Sequence, residues 1–130
     1  MKASELRIGN WVTYAGMMQR VYSIGETAIN IAQDPLKISF IGGVELSPEI
    51  LVKMGFENYQ KSFYNFYKIR YTYYKIRYTH ILLEKELTIM ELDEGLYNWM
   101  EGNANVHIYY VHQLQNLYQI LTNTELNFTL

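Results

Sequence analysis

Hydrophobic and polar positions change period several times along the chain, and each change marks an element. From Leu6 to Ile24 apolar residues partly alternate with polar ones, in Ile8-Gly9-Asn10-Trp11-Val12-Thr13-Tyr14 and in Gln19-Arg20-Val21-Tyr22-Ser23-Ile24, on either side of Ala15-Gly16. A period of two about a glycine predicts a hairpin. Two isoleucine-rich runs come next, Ala28 to Ala32 and Leu36 to Ile41, separated by Asp34-Pro35 and closed by Gly42-Gly43. Both dipeptides are turn signals, one through the fixed φ of proline and the other through the freedom of glycine. Short strands at this spacing predict a small SH3-like barrel or a curled sheet over residues 1–45.

Ser47-Pro48-Glu49 starts a helix. Serine accepts a bond from an orphan amide, proline suits the first helical position, and glutamate favours the positive end of the helix dipole. Gly55 supplies the stop. Ile50, Leu51 and Met54 share one face, so this helix is expected to lid the barrel or join it to the second half of the chain. Phe63 to Leu92 is β-branched and aromatic with no Gly or Pro, which predicts two or three strands. Glu84-Lys85-Glu86 would be a turn, while Leu83, Leu87 and Met90 leave a helix over Ile81 to Met90 as the alternative. Asp93-Glu94-Gly95 and Glu101-Gly102-Asn103 read as loops around a short strand or turn from Tyr97 to Met100, with a further strand from Val106 to Tyr110. Val111, Leu114, Leu117, Tyr118 and Leu121 then recur at three and four, with His112, Gln113, Gln115, Asn116 and Gln119 at the other positions. That is an amphipathic helix, with Asn123 as its left-handed cap and Leu126 and Phe128 as apolar anchors of the tail. The predicted fold class is α+β, mostly β: the amino-terminal barrel or curled sheet, then residues 46–130 with a second antiparallel sheet region and the carboxy-terminal helix, all in one continuous compact unit.

Composition narrows the function classes. The 130 residues are 49% apolar and 18% charged with a formal charge of −2, which excludes a disordered tail, a charge-rich coiled coil and a strongly basic nucleic-acid coat. No apolar run reaches the roughly 20 residues of a membrane helix, and the first residues lack a signal-peptide core, so a cytoplasmic protein without membrane contact is expected. With no cysteine there is neither a disulfide nor a thiolate zinc site. No phosphate loop, dinucleotide fingerprint or nucleophile elbow is present, and His80, His107 and His112 do not have the spacing of a helical zinc pair; His112, at the start of a helix beside Tyr110, reads as a hydrogen-bonding core-edge residue and not as a base. Glu91, Asp93 and Glu94 border a glycine and read as turn residues, and Trp11 and Trp99 as core residues, with Trp99 also a candidate for lining a pocket. No catalytic residue, metal ligand or cofactor is assigned, and an enzyme is not expected.

One feature is unusual. Tyr67-Lys68-Ile69-Arg70-Tyr71-Thr72-Tyr73 is followed at once by Tyr74-Lys75-Ile76-Arg77-Tyr78-Thr79-His80, a heptapeptide duplication differing only at its last position. Seven of the thirteen tyrosines lie between residues 59 and 80. An odd repeat on a strand of period two turns the second copy over, so a straight strand would bury cations. A bulge, sharp twist or exit from the core is therefore expected near Tyr73-Tyr74, where nothing favours a tight turn, or else a ribbon projecting past the core. Residues 60–80 carry five cations and no acid, and Glu84 to Glu101 carries six acids against Lys85. The plainest reading is two neighbouring strands whose exposed faces pair Lys and Arg with Glu, each pair worth about a few tenths of a kcal/mol. The functional readings are a protein-binding edge, with self-association as one form, and a single-stranded nucleic-acid or small-nucleotide surface, which the acids would oppose. Candidate binding residues on either reading are Lys68, Arg70, Tyr71, Lys75, Arg77 and Tyr78.

Leu6-Arg7-Ile8-Gly9-Asn10-Trp11-Val12, Tyr110-Val111-His112-Gln113-Leu114-Gln115-Asn116-Leu117-Tyr118 with Leu121-Thr122 and Glu125-Leu126, and Leu46-Ser47-Pro48-Glu49-Ile50-Leu51 with Met54-Gly55-Phe56 cover about half the chain. Together they resemble a group of small uncharacterised proteins of phages and conjugative elements of gut Bacteroidetes. Asn123 stands where that group tends to have glycine, and the duplication is not a feature of it. The resemblance implies a mobile-element accessory protein and carries over no site residue. The expected function is a non-enzymatic module that binds a host or element protein.

Overall fold

The computed structural model describes residues 3–25, 28–31, 34–37, 41–75, 78–100 and 106–130. The chain divides into two compact units, Met1–Glu45 with Tyr110–Leu117, and Leu46–Tyr109 with Tyr118–Leu130.

In the first unit, β1 (Trp11–Tyr14) and β2 (Met17–Ile24) form the predicted hairpin, with Ala15 and Gly16 both at positive φ. β3 (Ala28–Ile31) and β4 (Asp34–Lys37) extend the meander, and β5 (Gly42–Gly43) returns beside β1, giving the order β4-β3-β2-β1-β5. This is an open sheet and not a barrel: among the described residues no pairing joins β4 to β5. Two turn assignments are corrected. Asp34 and Pro35 lie inside β4, an edge strand, where a missing amide is tolerated. Gly42 and Gly43 form β5 by pairing with Thr13 and Val12 of β1, and the backbone there is too crowded for a side chain. A Cβ on Gly43 would lie 2.5 Å from the Tyr110 ring, and one on Gly42 would lie 2.6 Å from Thr13 Oγ1. The run predicted to end at Ile41 is a strand to Lys37, and residues 38–40 lie outside the described ones.

The second unit begins with α1 (Pro48–Lys53), whose cap Ser47 accepts the Ile50 amide at 3.2 Å and which ends ahead of Gly55 at φ +100°. β6 (Glu57–Lys61), β7 (Tyr64–Lys75), β8 (Tyr78–Asp93), β9 (Leu96–Trp99) and β10 (Val106–Ile108) then form an antiparallel meander in sequence order. Glu84-Lys85-Glu86 is not a turn, and Ile81 to Met90 is not a helix. Both lie within β8, since every residue from Leu82 to Met90 faces one of β7. Local spacing could not settle this, because a buried leucine every third or fourth residue is compatible with either period over so short a run. The Asp93-Glu94-Gly95 loop is a tight turn between β8 and β9, with Asp93 Oδ1 accepting the Glu94 amide at 2.8 Å. The Glu101-Gly102-Asn103 loop lies outside the described residues.

The core of this unit lies on one face of the sheet. Tyr67, Tyr71, Leu87, Ile89 and Tyr97 are buried, along with Leu51, Met54 and Phe56 from the α1 segment, each large apolar side chain contributing about 1.5–3 kcal/mol. α2 (Val111–Thr122) ends at Asn123, whose φ of +57° is the predicted left-handed cap, and Leu126 and Phe128 are buried beyond it. One face of α2 departs from the prediction. Gln115, placed by spacing among the polar positions, is buried, whereas the burial of His112 agrees with its reading as a core-edge residue at the start of the helix.

Candidate interaction surface

The duplicated heptapeptide does not form two equivalent strand segments. Its first copy lies wholly in β7. A register shift falls between Tyr74 and Lys75, at the expected break, and Lys75 then pairs with Tyr78 across the end of the hairpin. The chain thus reverses inside the second copy, although no glycine, proline or asparagine is there. Arg77 lies outside the described residues, and Lys75 and Tyr78 are placed as backbone partners only.

In the first copy, period two sends alternate residues to opposite faces. Tyr67 and Tyr71 point inward, Tyr71 with only 7% of its surface exposed and its ring 6.3 Å from that of Tyr118, edge on. Its predicted place on an exposed binding face is therefore corrected: the aromatic half of the repeat faces the core, where apolar burial outweighs display. Lys68 and Arg70 point outward and converge on Glu86, at 3.9 and 3.3 Å. That is the neighbouring-strand pairing of cation and acid, a contact worth about a few tenths of a kcal/mol at this exposure. Burial raises the hydroxyl pKa of Tyr67 and Tyr97, with Glu91 adding to it, so both phenols stay neutral.

Beside Lys68 lies an aromatic cluster with no motif in the sequence to announce it. Tyr59 on β6 and Phe66 on β7 are register partners whose rings stack at 5.2 Å and 13°, and Lys68 Nζ lies 5.2 Å from the Tyr59 ring centre. Such pairs add about 0.5–1.5 kcal/mol beyond area burial. The hairpin that carries them turns in two residues, Ser62 and Phe63, between the partners Lys61 and Tyr64. Both have left-handed backbone, φ +52° and +70°. Two-residue hairpin loops favour Asn and Gly there, because a β-carbon is strained at positive φ. Phe63 is nonetheless fully exposed, at 107%, and Tyr64 beside it is 51% exposed. A bulky ring in a strained conformation with nothing to pack on is not explained by folding, and strain of this kind concentrates at functional positions. In the sequence pattern Phe63 stands at the start of a buried strand. Only the missing turn residue in Lys61-Ser62-Phe63-Tyr64 could have signalled otherwise.

Residues near the amino terminus and on α2 meet in the first unit. Asn10 and Gln115 are buried, and Asn116 Oδ1 accepts from Arg7 Nε at 2.8 Å and Asn10 Nδ2 at 2.9 Å. Gln115 Oε1 accepts the Trp11 amide at 2.9 Å, while its Nε2 donates to the Gly9 carbonyl at 3.2 Å. Their side chains satisfy buried backbone groups, so they clasp α2 to the approach to β1 rather than offering a surface. His112 joins them, 2% exposed, stacked on Tyr110 at 5.6 Å, with no hydrogen-bond partner at Nδ1 among the described residues. Burial lowers its pKa, against an opposing pull from Glu5.

Among the described residues no group of three or more His, Asp or Glu is placed to hold a metal, and no helix is long and apolar enough to cross a membrane. No family model, curated protein or solved structure matches the chain.

Proposed function

We propose that the protein is a non-enzymatic accessory protein of a phage or conjugative element that binds a host or element protein in the bacterial cytoplasm. The tip of the β6–β7 hairpin, Phe63 with Tyr64, is its contact. Phe63 carries the reading: an exposed ring held at positive φ costs the free protein stability, and a partner that buries it would recover that cost with about 1.5–3 kcal/mol of apolar burial. The Tyr59–Phe66 stack and the Lys68–Glu86–Arg70 cluster supply a mixed aromatic and polar surround, the composition of a protein interface rim. A single-stranded nucleic-acid reading has the same rings and cations in its favour, but Glu86 offsets one of the two positive charges that Lys68 and Arg70 would offer a phosphate, and Tyr71 is buried away from any base.

A photo-crosslinking phenylalanine analogue at position 63, expressed in host cells, tests the proposal. A discrete protein adduct that is absent when the probe replaces Val52, another exposed apolar residue, is expected. Crosslinks to nucleic acid, or none beyond the Val52 control, would reject it.

A further inference from the structure

β6 is the last strand of its sheet, and among the described residues nothing pairs with its outer edge. Natural edges are guarded by short length, charged side chains such as lysine, proline, a bulge or an inward charge, and of these β6 has its five-residue length and the charges Glu57 and Lys61 at its ends. β6 has no proline, and it runs in unbroken register with β7 from Glu57 to Lys61. All of its residues are exposed except the half-buried Tyr59. Its sequence, Glu57-Asn58-Tyr59-Gln60-Lys61, is complementary to itself when reversed.

We propose that this edge pairs with β6 of a second copy of the chain, antiparallel about a two-fold axis at Tyr59. That register sets Glu57 opposite Lys61 of the second copy and Lys61 opposite its Glu57, Asn58 opposite Gln60, and Tyr59 opposite Tyr59. Every pair joins positions of the same parity, so outward amides of one copy meet outward carbonyls of the other and the outer faces run continuously. The two five-stranded sheets merge into one of ten strands. The Tyr59–Phe66 stack becomes a ladder of four rings across the axis. Charge selects this register over its rivals. A parallel pairing would put Glu57 on Glu57 and Lys61 on Lys61, and a slip of two residues would strand a charge on each side. Among the described residues neither Glu57 nor Lys61 has an ion pair, and Lys68, opposite Glu57, is occupied by Glu86. An isologous interface of this kind closes on itself, so it makes a dimer and not a fibre. It also leaves both Phe63 tips free at opposite ends of the shared strand pair.

Sedimentation velocity of the full chain from low micromolar to millimolar concentration tests this. A mass rising towards twice 15.4 kDa is expected. Glu57→Lys places like charges opposite each other and should remain monomeric throughout, while Glu57→Lys with Lys61→Glu restores the complementary pairs and should restore the dimer. Because the chain has no cysteine, Tyr59→Cys puts a single thiol beside the axis, and oxidation should link it across copies far faster than Lys53→Cys. A wild-type chain monomeric at every concentration, a dimer indifferent to Glu57→Lys, a charge swap that does not rescue, or equal linking at 59 and 53 would each overturn the proposal. Phe63→Gly should leave the mass unchanged, so failure of the dimer and failure of the hairpin-tip reading are told apart.

Discussion

Two residues, one strained and one a buried titratable ring, sit where the folded protein bears a cost, and each leads to a measurement. Phe63→Gly removes a strained β-carbon and an exposed ring at once, so it should stabilise the protein by about 1 kcal/mol in urea unfolding, against the usual direction for loss of an aromatic. No gain would mean that the ring packs on something in the free protein. His112 acts in the other sense. Its folded pKa lies below 6.5, so the unfolded chain binds the proton more readily and the unfolding free energy must fall as pH drops through about 6.5 and below. His112→Phe keeps a ring on Tyr110 and should remove that slope. An unchanged slope would assign it to another group. The sequence showed that His112 lies near the start of a helix. Its place beside Tyr110 also marked it as a core-edge residue, whereas the burial of Gln115 was not legible, because helical spacing assigns faces by hydropathy and a polar residue buried for its hydrogen bonds looks like a solvated one.

Among the elements, those made legible by punctuation are the β1–β2 hairpin, the Ser47-capped helix, the Asp93–Gly95 turn and α2 with its Asn123 cap. Each has a local chemical cause. The elements that local pattern misplaces are those whose cause is tertiary: Gly42-Gly43 is a strand because β1 lies beside it, and Glu84-Lys85-Glu86 is mid-strand because β7 lies opposite. The duplication is the sharpest case. Its second copy makes the end of the hairpin and not a second binding strand, which leads to a prediction of tolerance. Deleting residues 74–80 keeps every pairing from Phe66–Met90 to Thr72–Glu84 and joins them through Tyr73, Ile81, Leu82 and Leu83. The shortened protein should keep its circular-dichroism spectrum and unfold cooperatively. Loss of sheet signal would show that the extension is needed for the fold. The Gln115 clasp should be far less tolerant: Gln115→Met strands the Trp11 amide and the Gly9 carbonyl, at about 1–3 kcal/mol for each unmet group, read as a lower urea midpoint.

At the scale of the whole molecule, the mostly β class, the second antiparallel sheet and the closing helix were legible in the sequence, whereas the candidate surface was not. The heptapeptide draws attention because repetition is visible in one dimension. Its tyrosines Tyr67 and Tyr71 face the core, and its cations Lys68 and Arg70 share Glu86. The hairpin tip is visible only in three dimensions, since an exposed phenylalanine at positive φ is indistinguishable in sequence from one beginning a buried strand. In the proposed function, recognition lies at the tip and the repeat is left the part of extending the sheet. The most direct test is quantitative capture from host lysate on three immobilised baits side by side: the wild-type chain, Phe63→Gly and the chain lacking residues 74–80. The tip assignment predicts one set of proteins retained by the wild type and the shortened chain alike, and lost from Phe63→Gly although that variant is the more stable. Retention by Phe63→Gly, with loss from the shortened chain, would return recognition to the repeat and contradict the assignment to the tip.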